Sequence, residues 1–90
     1  MKSRKKGIVV LGSTGSIGVS TLSVISQNSD RYNVVGLSCH NNLPLILEQI
    51  DAFKPTVVSI SDEKAPELRQ ILSEKGLQIT VMEGLAGHIE

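Results

Sequence analysis

Ninety residues suffice for one small domain, which hides only ~60–65% of its unfolded surface. Nine basic and nine acidic side chains cancel, so no long-range field favours nucleic acid or an anionic membrane. The lone cysteine, Cys39, excludes an internal disulfide and fits a reduced, cytoplasmic setting. Lys2, Arg4, Lys5 and Lys6 read as a solvated tail ahead of the first strand. The apolar run that follows is too short for a secretory leader, and no stretch reaches the length of a membrane span. The only aromatic residues are Tyr32 and Phe53, so the core must be aliphatic, as in a parallel sheet buried on both faces.

In chain order, residues 8–11 form a short apolar run ending at Gly12, which predicts a buried strand. A helix should begin inside the glycine-rich stretch that follows, carry Ile17, Leu22 and Ile25 inward, and end at residues 28–30. Residues 32–37 are rich in β-branched side chains and predict the second strand. Asn42 suits a helix N-cap, with Pro44 tolerated in the first turn. Leu43, Ile46, Leu47 and Ile50 then recur at helical spacing, and Lys54-Pro55 closes the segment. Residues 56–60 predict the third strand. Ser61 or Asp62 is the expected cap of a third helix, which buries Leu68, Ile71 and Leu72 and stops at Gly76. Residues 77–82 predict the fourth strand, and residues 83–90 a loop and the first turn of another helix.

Strand and helix alternate without repeats or linkers. This predicts an α/β, Rossmann-like three-layer domain with a parallel sheet and right-handed crossovers. The first strand is expected at the centre with the second beside it, and the third and fourth on the second strand's side. All four strands have the composition of interior strands, yet a four-strand sheet exposes two edges. The expectation is therefore the amino-terminal part, residues 1–90, of a longer nucleotide-binding domain, incomplete at its carboxy end and without the catalytic and carboxy-terminal domains.

The chemistry lies in Gly12-Ser13-Thr14-Gly15-Ser16-Ile17-Gly18. A dinucleotide pyrophosphate needs backbone donors, no side chain in its way, and a helix N-terminus facing it. Gly12 allows the sharp turn out of the strand, Gly15 clears the approach to the phosphates, and Gly18 lets the helix pack closely on the sheet. Ser13, Thr14 and Ser16 add hydroxyl donors. Glycines alone are a weak signal; their place between a predicted strand and a predicted helix strengthens it.

An NAD site usually has Asp or Glu at the end of the second strand, to bind the ribose hydroxyls. Here that stretch is Ser38-Cys39-His40-Asn41-Asn42, and no acid occurs between Asp30 and Glu48. A carboxylate would repel a 2′-phosphate, so its absence leaves room for NADP, with His40, Asn41 and Asn42 as candidate donors; His40 is either such a phosphate neighbour or simply exposed loop. Asn42 is a cap, either alone or while also touching the ribose; Cys39 suits a small buried residue. His88 is assigned no role. No carboxylate pair, metal-ligand cluster or nucleophile–base arrangement emerges, so catalytic and metal-binding residues are not assigned.

The glycine loop followed by Ser20-Thr21-Leu22 resembles the amino-terminal loop of the 1-deoxy-D-xylulose 5-phosphate reductoisomerase family. The likeness runs on through Tyr32-Asn33-Val34-Val35-Gly36-Leu37, Asn42, Glu48-Gln49, Phe53-Lys54-Pro55 and Gly84-Leu85. The resemblance implies an NADPH-dependent oxidoreductase of non-mevalonate isoprenoid biosynthesis. Members convert 1-deoxy-D-xylulose 5-phosphate to 2-C-methyl-D-erythritol 4-phosphate, using a divalent metal (Mg²⁺ or Mn²⁺), as homodimers in bacterial cytoplasm or plastids. It implies that Thr14, Gly15, Ser16 and Ile17 contact the pyrophosphate side of NADPH, with His40, Asn41 and Asn42 around the adenosine ribose phosphate; Gly12 and Ser13 of the loop complete the candidate cofactor-binding set. The family often has Lys, Arg or Ser where Asn41 stands. Its metal ligands and substrate-phosphate pocket fall beyond Glu90, so this chain alone should not turn over substrate.

Two other readings share the loop. A semialdehyde or acyl-phosphate reductase would use a cysteine nucleophile from a later segment, for which Cys39 is badly placed. A non-catalytic nucleotide-sensing module would favour NADH and would often carry an acid at the end of the second strand.

Overall fold

Each apolar run becomes a strand of one parallel sheet, and each stretch of helical spacing becomes a crossover. The computed structural model describes residues 5–83. The elements are β1 (Lys6–Val10), α1 (Ser16–Ser26), β2 (Tyr32–Ser38), α2 (Leu43–Phe53), β3 (Val57–Ile60), α3 (Ala65–Glu74) and β4 (Thr80–Glu83). Lys2, Arg4, Gly84, Leu85, His88 and the helical turn expected near the carboxy end lie outside the described residues.

The strands are all parallel, in the order β1-β2-β3-β4. Strands β3 and β4 thus lie on the β2 side, as expected. β1 stands at an edge among the described strands, not at the centre. Three right-handed crossovers in the same direction place all three helices on one face of the sheet. In agreement, α1 and α2 line a common groove, and Lys75 at the end of α3 approaches Asp51 of α2 at 3.6 Å. The described residues thus form a sheet and one helical layer.

Val10, Leu37, Val58 and Val81 stand in register across the sheet. The first three are buried in a cluster with Leu22, Ile25, Ile46, Ile50, Leu68 and Leu72 from the helices. Burying each such side chain is favourable by ~1.5–3 kcal/mol, which makes this layer the main support of the fold. The two outermost strands have exposed residues, as a four-strand sheet requires: Val9 is 56% exposed, and Thr80, Met82 and Glu83 are exposed.

Helix ends follow local chemistry. Asn42 caps α2 as expected, its Oδ1 accepting from the Leu45 N–H at 3.2 Å, with Pro44 in the first turn. Lys54 ends α2 in the left-handed region (φ 51°) immediately before Pro55, which disfavours a helical residue ahead of it. At α3 the expected cap is corrected. The helix starts at Ala65, and neither Ser61 nor Asp62 caps it. Residues 62–64 form a turn in which the N–H groups of Lys64 and Ala65 both donate to the Ser61 carbonyl. Pro66 is the physical reason: a start at 62 or 63 would place it beyond the first turn, where its missing N–H is needed.

The same helix ends in a Schellman motif. Gly76 (φ 73°) donates to the Ser73 carbonyl and Leu77 to the Leu72 carbonyl. Leu77 therefore serves the cap, and the fourth strand begins at Thr80 instead of residue 77. Beyond it, Arg69 of α3 pairs with Glu83 and donates to the Val81 carbonyl at 3.0 Å.

Candidate functional site

The carboxyl ends of β1, β2 and β3 open onto one end of the sheet, where α/β folds of this kind receive their ligands. The glycine loop occupies this end between β1 and α1. Gly12 takes φ 65°, which lets the chain reverse immediately after β1. The Gly15 N–H then donates to the Gly12 carbonyl at 3.0 Å, closing a tight turn. Gly15 itself, extended at φ −80° and ψ 171°, becomes the N-cap of α1.

Gly18 is required for a different reason. A Cβ there would overlap the Gly12 carbonyl oxygen and stand 2.7 Å from Ser13 Cα. Its closest approach is thus to the loop backbone. A Cβ on Gly15 would meet only the Gly12 oxygen, at an ordinary 3.4 Å. The fold therefore tolerates a side chain at Gly15, and the reason for glycine there is sought on the ligand side.

The phase of α1 follows from Gly18. With Gly18 turned inward, Leu22 and Ile25 follow on the buried stripe. Ile17 was expected inward too, but it is 81% exposed. It lies instead on a groove of about 540 Å³ beside β1, together with Val9, Leu11, Gly12, Gly15 and Thr21. That volume is within the range of small-molecule sites.

The start of α1 is prepared for an anion. Val19 is the first residue of the helix to find a helical acceptor, the Gly15 carbonyl at 2.9 Å. The N–H groups of Ser16, Ile17 and Gly18 precede any such acceptor. No side chain caps this end, and no acidic residue occupies the first turn. Three free donors and the positive end of the helix dipole are left for a ligand.

Ser13 departs from its expected role. Its side chain is fully buried, and its hydroxyl donates to Gln49 Oε1 at 2.8 Å. The hydroxyl is already used inside the fold and is not an extra phosphate donor. Gln49 Nε2 returns a bond to the Ser13 carbonyl, also at 2.8 Å. Ser38, at the end of β2, holds the loop from another side: its Oγ accepts from the Gly12 N–H at 3.1 Å and its carbonyl from the Ser13 N–H at 2.7 Å. Sequence reading missed Gln49 and Ser38 as loop supports. A glutamine on the otherwise apolar stripe of α2, next to Ile50, was the available signal. Thr14 is half-buried and Ser16 exposed, so both remain accessible at the loop.

His40, Asn41 and Asn42 follow Cys39 in the connection after β2 and are all exposed. They sit at the same end of the sheet as the glycine loop, because Ser38 is bonded to Gly12 and Ser13. Capping α2 uses Oδ1 of Asn42 and leaves its Nδ2 hydrogens for another partner. Cys39 is buried among the core residues, and burial pushes its thiol up from 9.0 to about 11, with a backbone hydrogen bond from Asn42 acting the other way. Such a thiol stays protonated at neutral pH and is no nucleophile. Among the described residues no group of three His, Cys, Asp or Glu side chains is placed to hold a metal ion.

A parallel α/β sheet whose first strand runs through a Gly-x-x-Gly-x-x-Gly turn into an uncapped helix defines the front of a dinucleotide-binding domain. A family model for 1-deoxy-D-xylulose 5-phosphate reductoisomerase matches residues 8–90. The chain belongs to that family. It is 47% identical over 75 residues to the reductoisomerase of Prosthecochloris aestuarii, covering 82% of this chain and 20% of that protein. Against the enzyme of Geotalea uraniireducens it is 44% identical over 85 residues, covering 93% and 22%.

Solved structures agree. A crystal structure of DOX-P reductoisomerase in complex with NADPH, fosmidomycin and magnesium superposes with a TM-score of 0.86 at 30% identity, over 91% of this chain and 20% of that one. The Zymomonas mobilis enzyme in complex with NADPH gives 0.81 at 31% identity, over 91% and 21%. The chain therefore spans about a fifth of the length of the relatives it matches.

Proposed function

We propose that this chain is the amino-terminal part of the NADPH-binding domain of a 1-deoxy-D-xylulose 5-phosphate reductoisomerase. The reaction is the rearrangement and reduction of 1-deoxy-D-xylulose 5-phosphate to 2-C-methyl-D-erythritol 4-phosphate, in non-mevalonate isoprenoid biosynthesis. The observation that carries the reading is the start of α1, where three free backbone donors without an acidic neighbour face the glycine turn. That arrangement fits a pyrophosphate, and the family supplies the identity of the nucleotide.

In this reading the N–H groups of Ser16, Ile17 and Gly18 bind the pyrophosphate oxygens. Gly12 and Gly15 keep the approach clear, Thr14 and Ser16 add hydroxyls, and Ile17 offers an apolar surface. Ser13 acts from beneath as an anchor. His40, Asn41 and the free amide hydrogens of Asn42 receive the adenosine 2′-phosphate. NADPH supplies the hydride when bound. A divalent cation, Mg²⁺ or Mn²⁺, would bind substrate oxygens in the enzyme; the described residues offer it no ligand cluster, so its chemistry is not assigned to them.

The catalytic residues and the phosphorylated sugar's pocket are proposed to belong to the remaining four-fifths or so of the family's length. A homodimer in the bacterial cytoplasm is the proposed setting, and the free, buried Cys39 is consistent with a reduced compartment. Membership of the reductoisomerase family tells against the semialdehyde reductase and sensor readings.

Titration of the purified protein with NADPH and NADH, followed by nicotinamide fluorescence or calorimetry, is the test. Saturable binding with NADPH preferred supports the reading. Preference for NADH, or binding of neither, overturns it.

A further inference from the structure

The glycine loop is held in shape by a buried side chain that is not among those lining the groove beside β1. Gln49 lies on α2, is 7% exposed, and stands 36 residues along the chain from Ser13. Its primary amide makes two buried bonds to that one residue. Oε1 accepts from the Ser13 hydroxyl and Nε2 donates to the Ser13 carbonyl, each at 2.8 Å. Only a group with a donor and an acceptor side by side can do both; a carboxylate cannot donate, and an aliphatic side chain can do neither.

Ser13 sits between the Gly12 turn and the Gly15 cap; fixing its carbonyl fixes the peptide plane that follows it, and fixing its hydroxyl anchors the side chain. Its N–H is held in turn by the Ser38 carbonyl. Glycine-rich backbone has more freedom to lose than any other, and a loop left mobile must be ordered when the ligand arrives. The bonds to Gln49 remove that requirement in advance. Asn42, at the proposed 2′-phosphate end, caps the same helix seven residues earlier, about two turns away.

We propose that Gln49 is a positioning residue for dinucleotide binding: through Ser13 it pre-organises the glycine loop for the pyrophosphate. The inference rests on the proposed NADPH site and adds to it a determinant that acts from inside the fold. Its effect is specific to the pyrophosphate, because Gln49 supports the loop and leaves Asn42 and the start of α2 as they are.

The test compares two ligands on the purified protein, NADPH and adenosine 2′-monophosphate, which lacks the pyrophosphate. In Gln49→Leu, NADPH affinity should fall about tenfold, while adenosine 2′-monophosphate binds within about twofold of the parent. Ser13→Ala keeps the backbone bond and removes only the hydroxyl. It should show the same ligand-selective loss, about threefold, and it carries the test if Gln49→Leu does not fold. Equal losses for both ligands, or no loss for either, would mean a purely structural role and overturn the inference while the NADPH site stands. Failure of the parent protein to bind NADPH overturns the site and this inference together, and is seen before any variant is made.

Discussion

The carbonyl oxygen of Gly12 occupies the place that a side chain at Gly18 would need. The turn and the first turn of α1 are thus packed backbone to backbone, with no side chain between them. A helix start held this way can present its amides to a ligand only while Gly18 stays bare and Gly12 keeps its left-handed turn.

Gly18→Ala should therefore destabilise the protein by ~1–3 kcal/mol, because the nearest atoms are backbone and cannot swing aside. NADPH binding should weaken with it. Gly15→Ala separates the two effects, since its Cβ meets nothing closer than 3.4 Å. Its thermal midpoint should remain near that of the parent while NADPH affinity drops. Calorimetric unfolding set beside NADPH titration measures both, and a Gly18→Ala protein as stable as the parent would contradict the packing described.

Charge at the end of β2 should set the choice between the two nicotinamide dinucleotides. Asn41→Asp places a carboxylate where the 2′-phosphate is proposed to lie. NADPH affinity should fall about tenfold or more, with NADH little affected. Parallel titrations decide it; an equal loss for both dinucleotides would place the 2′-phosphate elsewhere.

Cys39 gives a pH dependence. Its thiol is raised from 9.0 to about 11 by burial, so the folded state holds the proton more firmly than the unfolded chain does. The stabilisation is complete below pH 9 and is lost as pH rises through about 11. Denaturation midpoints should decline across that window, and less so in Cys39→Ala compared with its own neutral-pH value. At pH 7 the native thiol should resist iodoacetamide until the protein is unfolded.

Lys54 holds a left-handed conformation that costs an L-residue roughly 1 kcal/mol. Lys54→Gly should raise stability by ~0.5–1 kcal/mol despite losing the exposed bond from its ammonium to the Asp51 carbonyl. Asn42→Ala should lower it by ~1 kcal/mol through loss of the α2 cap. Urea denaturation of the two variants gives opposite shifts of the midpoint.

Features governed by near neighbours in sequence were legible. The cap at Asn42 follows from its side-chain acceptor, and the stop at Lys54-Pro55 and the turn at Gly76 from local backbone preference. The order of elements and the position of the glycine loop follow from apolar spacing. The start of α3 was also written in the chain, in Pro66, but the polar side chains of Ser61 and Asp62 suggested an earlier cap.

Other features depend on residues that meet only after folding. The direction of Ile17 hangs on how closely Gly18 approaches Gly12, and that contact is invisible in a spacing pattern. The role of Ser13 was misread because its partner lies 36 residues away on another helix. A buried amide at Gln49 hinted that something polar had to face it, without saying what. β1 was expected at the centre from the habit of the fold class, whereas among the described strands it pairs with β2 alone.

The outer side of β4 has a consequence for how the protein behaves in a crowded solution. Thr80 donates to Thr56 on the inner side, so by the alternation of a parallel ladder Val81 turns its carbonyl outward. Arg69 takes up that carbonyl and draws Glu83 alongside. A foreign strand arriving there meets a rung already occupied and a pair of charges it would have to dehydrate. Among the described residues, this flank of the sheet is guarded by a single arginine reaching over from the neighbouring helix, which discourages the strand-to-strand joining that begins aggregation.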